Sequence, residues 1–163
     1  MATDLNQLLQ VLLKSKIEFV VIGGFAGLIH GTSRVTRDLD ICLSMSEDDL
    51  EKLRELLRPY NPKHRRNPKE KLSFLDVPQN FQGWKNLYLE TDLGILDIIG
   101  EVSGVGSFDR IKKKSVSVEL YEHSCRVMSI EDLIQSKRAL GRDHDLLDIQ
   151  ELEQIRHRTH NRG

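Results

Sequence analysis

Apolar residues recur along the chain at two spacings, and each change of spacing marks a new element. Leu5, Leu8, Leu9 and Leu12 return every three or four residues, which predicts a helix with one apolar face, capped by Thr3. Glu18-Phe19-Val20-Val21-Ile22 is a β-branched and aromatic run closed by Gly23-Gly24, the pattern of a buried strand entering a tight turn. A short helix from Ala26 to His30 is expected next. The spacing then falls to two. Leu39, Ile41 and Leu43 alternate with Asp38 and Asp40, so a second strand puts its apolar side chains on one face and both carboxylates on the other.

Ser46 followed by Asp49 is a capping-box pattern ahead of a helix with Leu50, Leu53, Leu56 and Leu57 facing inward, and Pro59 and Pro62 end it. Residues 58–71 combine three prolines with Arg58, Lys63, Arg65, Arg66, Lys69 and Lys71, and are expected to form a mobile basic loop. Two strands follow, Asn86 to Thr91 and Gly94 to Ile99, joined at Thr91-Asp92-Leu93-Gly94. Asp97 stands alone among the apolar residues of the second. A further strand pair, Ser115 to Leu120 and Cys125 to Met128, turns at Glu122-His123 and leads into a Ser129/Asp132 capping box. Two helices, Ile130 to Leu140 and Asp143 to Ile155, are separated by Gly141, and the polar tail beyond Arg156 is expected to fray.

Composition narrows the class without choosing a function. The 163 residues carry 24 Lys+Arg against 25 Asp+Glu, a formal net charge of −1, with 39% hydrophobic residues. That is enough for the core of one domain, and it argues against a surface built as a whole to coat nucleic acid or an anionic membrane. The longest nearly apolar run, Phe19 to Ile29, is too short to span a bilayer. Asp4 stands where a secretory leader would be positively charged, so a cytoplasmic protein is expected. Cys42 and Cys125 are isolated in apolar patterns and act as small hydrophobes, neither a disulfide framework nor a zinc site.

The chemistry is concentrated in one constellation: Gly23-Gly24, thirteen residues, Asp38-x-Asp40 on a strand, then Asp97 in a later strand. Residues i and i+2 of a strand lie about 6.6 Å apart at Cα, so both carboxylates can reach one divalent ion, and a third acid from a neighbouring strand completes an oxygen cage. Magnesium in such a cage keeps substrate phosphates in its shell, and glycines let backbone N–H groups approach phosphate at a helix start.

Val21 to Ile41, with its double glycine, following helix and Asp-x-Asp, resembles the nucleotidyltransferase superfamily of the DNA polymerase β-like fold, and within it the AbiEii-type toxins. The likeness continues through Asp132-Leu-Ile-x-x-Lys137 to Gly141-Arg142, Asp145 and Asp148. It implies an α/β (α+β) fold, a mixed sheet flanked by helices with a C-terminal helical pair. One domain would span residues 1–163, with a helical segment at 128–156 and a tail at 157–163. It further implies that Asp38 and Asp40 bind two Mg2+ ions and that Asp97 holds one of them and helps deprotonate the acceptor. Gly23, Gly24 and Lys137 would contact the nucleoside triphosphate; Arg37, next to the acids, is a candidate phosphate contact. The activity implied is transfer of a nucleotide to a hydroxyl with release of pyrophosphate. RNA or protein as the acceptor, and an antitoxin as a partner, follow from the toxin likeness.

Each residue also has a plainer explanation. The glycine turn Gly23-Gly24-Phe25-Ala26-Gly27 resembles a degraded dinucleotide-binding loop, although it lacks the G-x-G-x-x-G pattern. Asp97 could be a structural acid paired with an arginine, and Lys137 an ordinary solvent-facing lysine. Arg34 and Arg37 could balance the acids or touch phosphate. The 58–71 loop and the run Arg110, Lys112, Lys113, Lys114 could contact RNA phosphates or simply be solvated, and the roles of Arg142 and Asp145 stay open. His144, His157 and His160 have loose metal-ligand spacing but read as polar surface, and His30 as packing. A non-catalytic nucleotide- or partner-binding module and a small-molecule (antibiotic) nucleotidyltransferase are the alternative functions.

Overall fold

The computed structural model describes residues 4–66 and 69–161. Helix α1 (Leu5–Lys14) buries Leu8, Leu9 and Leu12 at helical spacing. Its N-cap is Asp4, whose carboxylate accepts from the Gln7 N–H at 2.9 Å, while Thr3 lies outside the described residues.

The centre of the molecule is a seven-stranded mixed sheet. Its inner strands are β1 (Val20–Ile22), β2 (Asp38–Cys42) and β5 (Gly94–Ile99). β2 runs antiparallel to β1, with Ile22 opposite Asp40, and parallel to β5, with Asp40 opposite Asp97. Beyond β5 lie β4 (Asn86–Thr91) and the two-residue edge strand β3 (Lys63–His64), both in antiparallel pairings. Beyond β1 lies the hairpin of β8 (Val116–Leu120) and β9 (His123–Val127), with Val127 beside Val21. Alternation divides the sheet into two faces. Leu39, Ile41, Leu87, Leu89, Leu96 and Ile98 are all essentially inaccessible and share the core with α1 and with Leu50, Leu53 and Leu57 of α3 (Glu47–Leu57). The opposite face carries Asp38, Asp40, Tyr88 and Asp97.

Helix α2 (Gly23–His30) follows β1 without a linker, three residues earlier than the apolar pattern suggested, because Gly23 turns the chain with a positive φ of 66°. The expected mobile loop at 58–71 is in part structured. Arg58–Tyr60 forms a 3-10 turn, β3 joins the sheet, and Lys71 pairs with Glu90 at 2.8 Å. Between β5 and β8 the chain adds a small hairpin, β6 (Glu101–Val102) with β7 (Gly106–Ser107), and a helix, α4 (Phe108–Lys114). In α4 only Phe108 and Ile111 point inward, and Lys112 pairs with Glu18 at 2.8 Å. The β8–β9 turn falls one residue early, at Tyr121 and Glu122, both with positive φ.

Helices α5 (Ile130–Leu140) and α6 (Asp143–Asn161) make the C-terminal pair. Ser129 caps α5 by accepting from the Asp132 N–H at 3.1 Å, and Gly141 ends it at φ 62°. α6 continues to Asn161 where a frayed tail was expected, and Ile155 on this longer helix is buried. Both cysteines are free and buried, and His30 is tied to the Met128 carbonyl at 2.8 Å. No helix among the described residues is long and apolar enough to cross a membrane.

Candidate active site

Because β2 and β5 are parallel and in register, Asp40 sits beside Asp97, and Asp38 lies two residues along on the same face. One oxygen from each of the three carboxylates lies within 4.8 Å of the other two. Asp97 is buried, and Oδ1 of Asp40 is enclosed without a hydrogen-bond partner among the described residues. Burial, reinforced by the charges of Asp97 and Asp38, pushes the Asp40 carboxyl from 3.8 up to about 7. A buried acceptor with nothing donating to it costs free energy, and two further acids beside it raise that cost. Hard oxygen ligands converging on an uncompensated carboxylate are the donor set of a divalent cation, so these residues fit Mg2+.

The glycine turn abuts this cluster. A Cβ at Gly23 would run into the Asp40 carboxylate, and one at Gly24 would lie 3.1 Å from Thr36 Oγ1. Ile22, the N-cap of α2, contributes no side-chain hydrogen bond, so the first N–H groups of that helix are not capped by it. Gly23, Asp40, Asn86, Tyr88, Ile99 and Leu140 contribute to the lining of a cleft of about 330 Å³.

The C-terminal helices add Lys137. Its side chain is only 14% exposed, with Nζ 3.1 Å from Asp148 Oδ2 and 3.9 Å from Asp145 Oδ1, and its charge acts to lower the Asp40 pKa. It is therefore not the solvated lysine of the plainer explanation. Asp148 also accepts from Arg34 at 2.8 Å, and Glu151 accepts from the Ser33 N–H at 2.6 Å, so α6 pins the 31–37 segment. Arg142 donates to Asp145 at 2.7 Å and 3.2 Å, and that contact holds the buried Asp145 carboxyl below its usual range. These two residues build the α5–α6 junction.

Arg37 is exposed, takes part in no ion pair among the described residues, and lines a separate cleft with Phe25, Leu28, Ile95 and Tyr121. Arg65, within the 58–71 stretch expected to be a loop, reaches the acidic cluster. Its guanidinium grips Asp97 with both arms, Nε to Oδ1 at 3.0 Å and Nη2 to Oδ2 at 2.5 Å. Asp97 thus belongs to the acidic trio and is also the arginine-paired acid of the plainer explanation. The available signal was the acid itself, since a carboxylate in a buried strand calls for a cation partner.

No protein-family model matches the chain, and no curated protein does. Solved structures do. The lincosamide antibiotic adenylyltransferase LnuA with lincomycin bound is 17% identical, with a TM-score of 0.59 over 93% of this chain and 95% of that one. ANT(2″)-Ia in complex with adenylyl-2″-tobramycin is 10% identical, with a TM-score of 0.56 over 97% and 95%. An antigenic nucleotidyltransferase-like protein from Paracoccidioides brasiliensis is 15% identical, with a TM-score of 0.57 over 93% and 71%. The chain therefore has the nucleotidyltransferase fold.

Proposed function

We propose that this protein is a magnesium-dependent nucleotidyltransferase that moves a nucleoside monophosphate from a nucleoside triphosphate to an acceptor hydroxyl and releases pyrophosphate. The observation that carries this reading is the buried, unpartnered Oδ1 of Asp40 among three converging carboxylates, against a glycine turn where a Cβ at Gly23 would run into the Asp40 carboxylate. Asp38 and Asp40 would hold two Mg2+ ions with Asp97 as the third ligand, and the ions would supply positive charge for the attacking and leaving oxygens. The start of α2 at Gly23-Gly24, which the Ile22 side chain does not cap, would offer backbone N–H groups to the triphosphate. Lys137, held by Asp148, would contact the bound triphosphate and offset its charge. The acceptor proton would pass to the Asp97 carboxylate. Arg37, lining another cleft, has no part in this scheme.

RNA or protein as acceptor, with a toxin-like role and an antitoxin partner, comes from the likeness of the Gly-Gly, Asp-x-Asp and Lys137 motifs. The small-molecule reading is favoured by a different observation: LnuA is named for lincosamide antibiotics, and ANT(2″)-Ia is bound to an adenylylated tobramycin. The test incubates the protein and its Asp38→Asn/Asp40→Asn variant with Mg2+, the four α-phosphate-labelled nucleoside triphosphates, and separate pools of RNA, protein and small molecules. Label entering one pool with the intact protein alone would establish the reaction and the acceptor class. No transfer into any pool, despite Mg2+-dependent triphosphate binding, would leave the non-catalytic module.

A further inference from the structure

We propose that Arg65 is a second phosphate-binding residue, held on Asp97 until metal and nucleotide arrive and then transferred to the triphosphate. This inference rests on the nucleotidyltransferase reading of the same site. Both oxygens of Asp97 are engaged by the two arms of the guanidinium, at 3.0 Å and 2.5 Å. A divalent ion that takes Asp97 as a ligand would stand beside that guanidinium on one carboxylate, so cation and arginine compete for it. Arg65 has somewhere to go. Its backbone is fixed by the Arg65 N–H bond to the Tyr88 carbonyl at 3.0 Å, while its side chain is 23% exposed and its guanidinium lies 5.6 Å from the centre of the Tyr88 ring, which borders the cleft with Asp40 and Gly23. A planar fork that fits a carboxylate also fits a phosphate, and the triphosphate would bring negative charge to this rim.

The pairing has another explanation, a fixed ion pair that clamps the β3 edge to β5, and the two explanations differ in what Arg65→Lys restores. If Arg65 competes with metal and then binds phosphate, Arg65→Ala should bind Mn2+ alone about tenfold more tightly and Mn2+-tripolyphosphate about tenfold more weakly. A fixed clamp would act through its charge alone, so Arg65→Lys would then restore both affinities to those of the parent. Mn2+ binding is read by electron paramagnetic resonance and tripolyphosphate binding by calorimetry, with thermal unfolding as the check that each variant is folded. Arg65→Lys keeps a cation near Asp97 but loses the fork, so its Mn2+ affinity should stay near that of the parent while tripolyphosphate weakens. Arg66→Ala, which removes a guanidinium stacked 3.4 Å over Tyr88, should leave Mn2+ affinity within about twofold. Unchanged or weaker Mn2+ binding in folded Arg65→Ala, unchanged tripolyphosphate binding, or an Arg65→Lys variant that matches the parent on both probes, overturns the inference and leaves the nucleotidyltransferase reading standing. A parent protein that binds neither probe overturns both.

Discussion

Replacing Asp40 with asparagine should stabilise the metal-free protein at alkaline pH while abolishing transfer. The Asp40 carboxyl is raised from 3.8 to about 7, a difference of about three units, and at about 1.4 kcal/mol per unit the ionised form costs the folded state ~4 kcal/mol at most. The direction follows from proton binding. Between pH 4 and 7 the folded state holds a proton that the unfolded state has released, so this group's contribution to stability falls as pH rises through that window. Asparagine removes the charge but leaves a poorly partnered amide, which costs ~1–2 kcal/mol and offsets part of the gain. The net expectation at pH 8 is about 2–3 kcal/mol in favour of the variant, or ~4–12 °C in Tm for a chain of this size. Near pH 5 the two proteins should melt together. The assay is thermal unfolding in chelator from pH 4.5 to 8.5, repeated with Mg2+, which should raise the Tm of the parent and leave Asp40→Asn unmoved. A difference in Tm that does not change with pH, or a variant less stable at pH 8, would refute the electrostatic account of this site.

Gly23→Ala introduces a Cβ into the Asp40 carboxylate at a residue with φ 66°, so it should lower stability by ~1–3 kcal/mol and reduce transfer at least tenfold, read by denaturant melts and initial rates. Asp148→Ala releases Lys137 and Arg34 together, from 3.1 Å and 2.8 Å contacts, and should raise KM for the nucleotide several-fold with a smaller change in kcat. Equal losses in kcat and kcat/KM would instead place its effect in the transition state alone.

The parts of the site carried by strict local pattern are legible in the amino-acid sequence itself. Alternation in β2 puts Asp38 and Asp40 on one face, and an isolated acid in an apolar strand singles out Asp97, as the parallel β2–β5 register bears out. What local pattern does not carry is pairing across strands. Arg65 reaches Asp97 over 32 residues of chain, through an edge strand of two polar residues that has no hydrophobic period to announce it. Helix α4 is hidden for a similar reason, because two apolar anchors, Phe108 and Ile111, sit among lysines. The early start of α2 depends on one backbone angle at Gly23, which glycine permits without prescribing.

These cross-chain pairings also locate the missing charge. Asp145 and Asp148 are matched by Arg142, Lys137 and Arg34, and Asp97 is matched by Arg65. No ion pair among the described residues involves Asp38 or Asp40, and the buried, unpartnered oxygen of the trio belongs to Asp40. A directly paired cation is therefore lacking at the two acids of β2, which feel Arg65 and Lys137 only at a distance. On the proposed reading, a first cation would be held by Asp38 and Asp40, with Asp97 joining only as Arg65 gives it up, because Asp97 is the carboxylate that already has a partner.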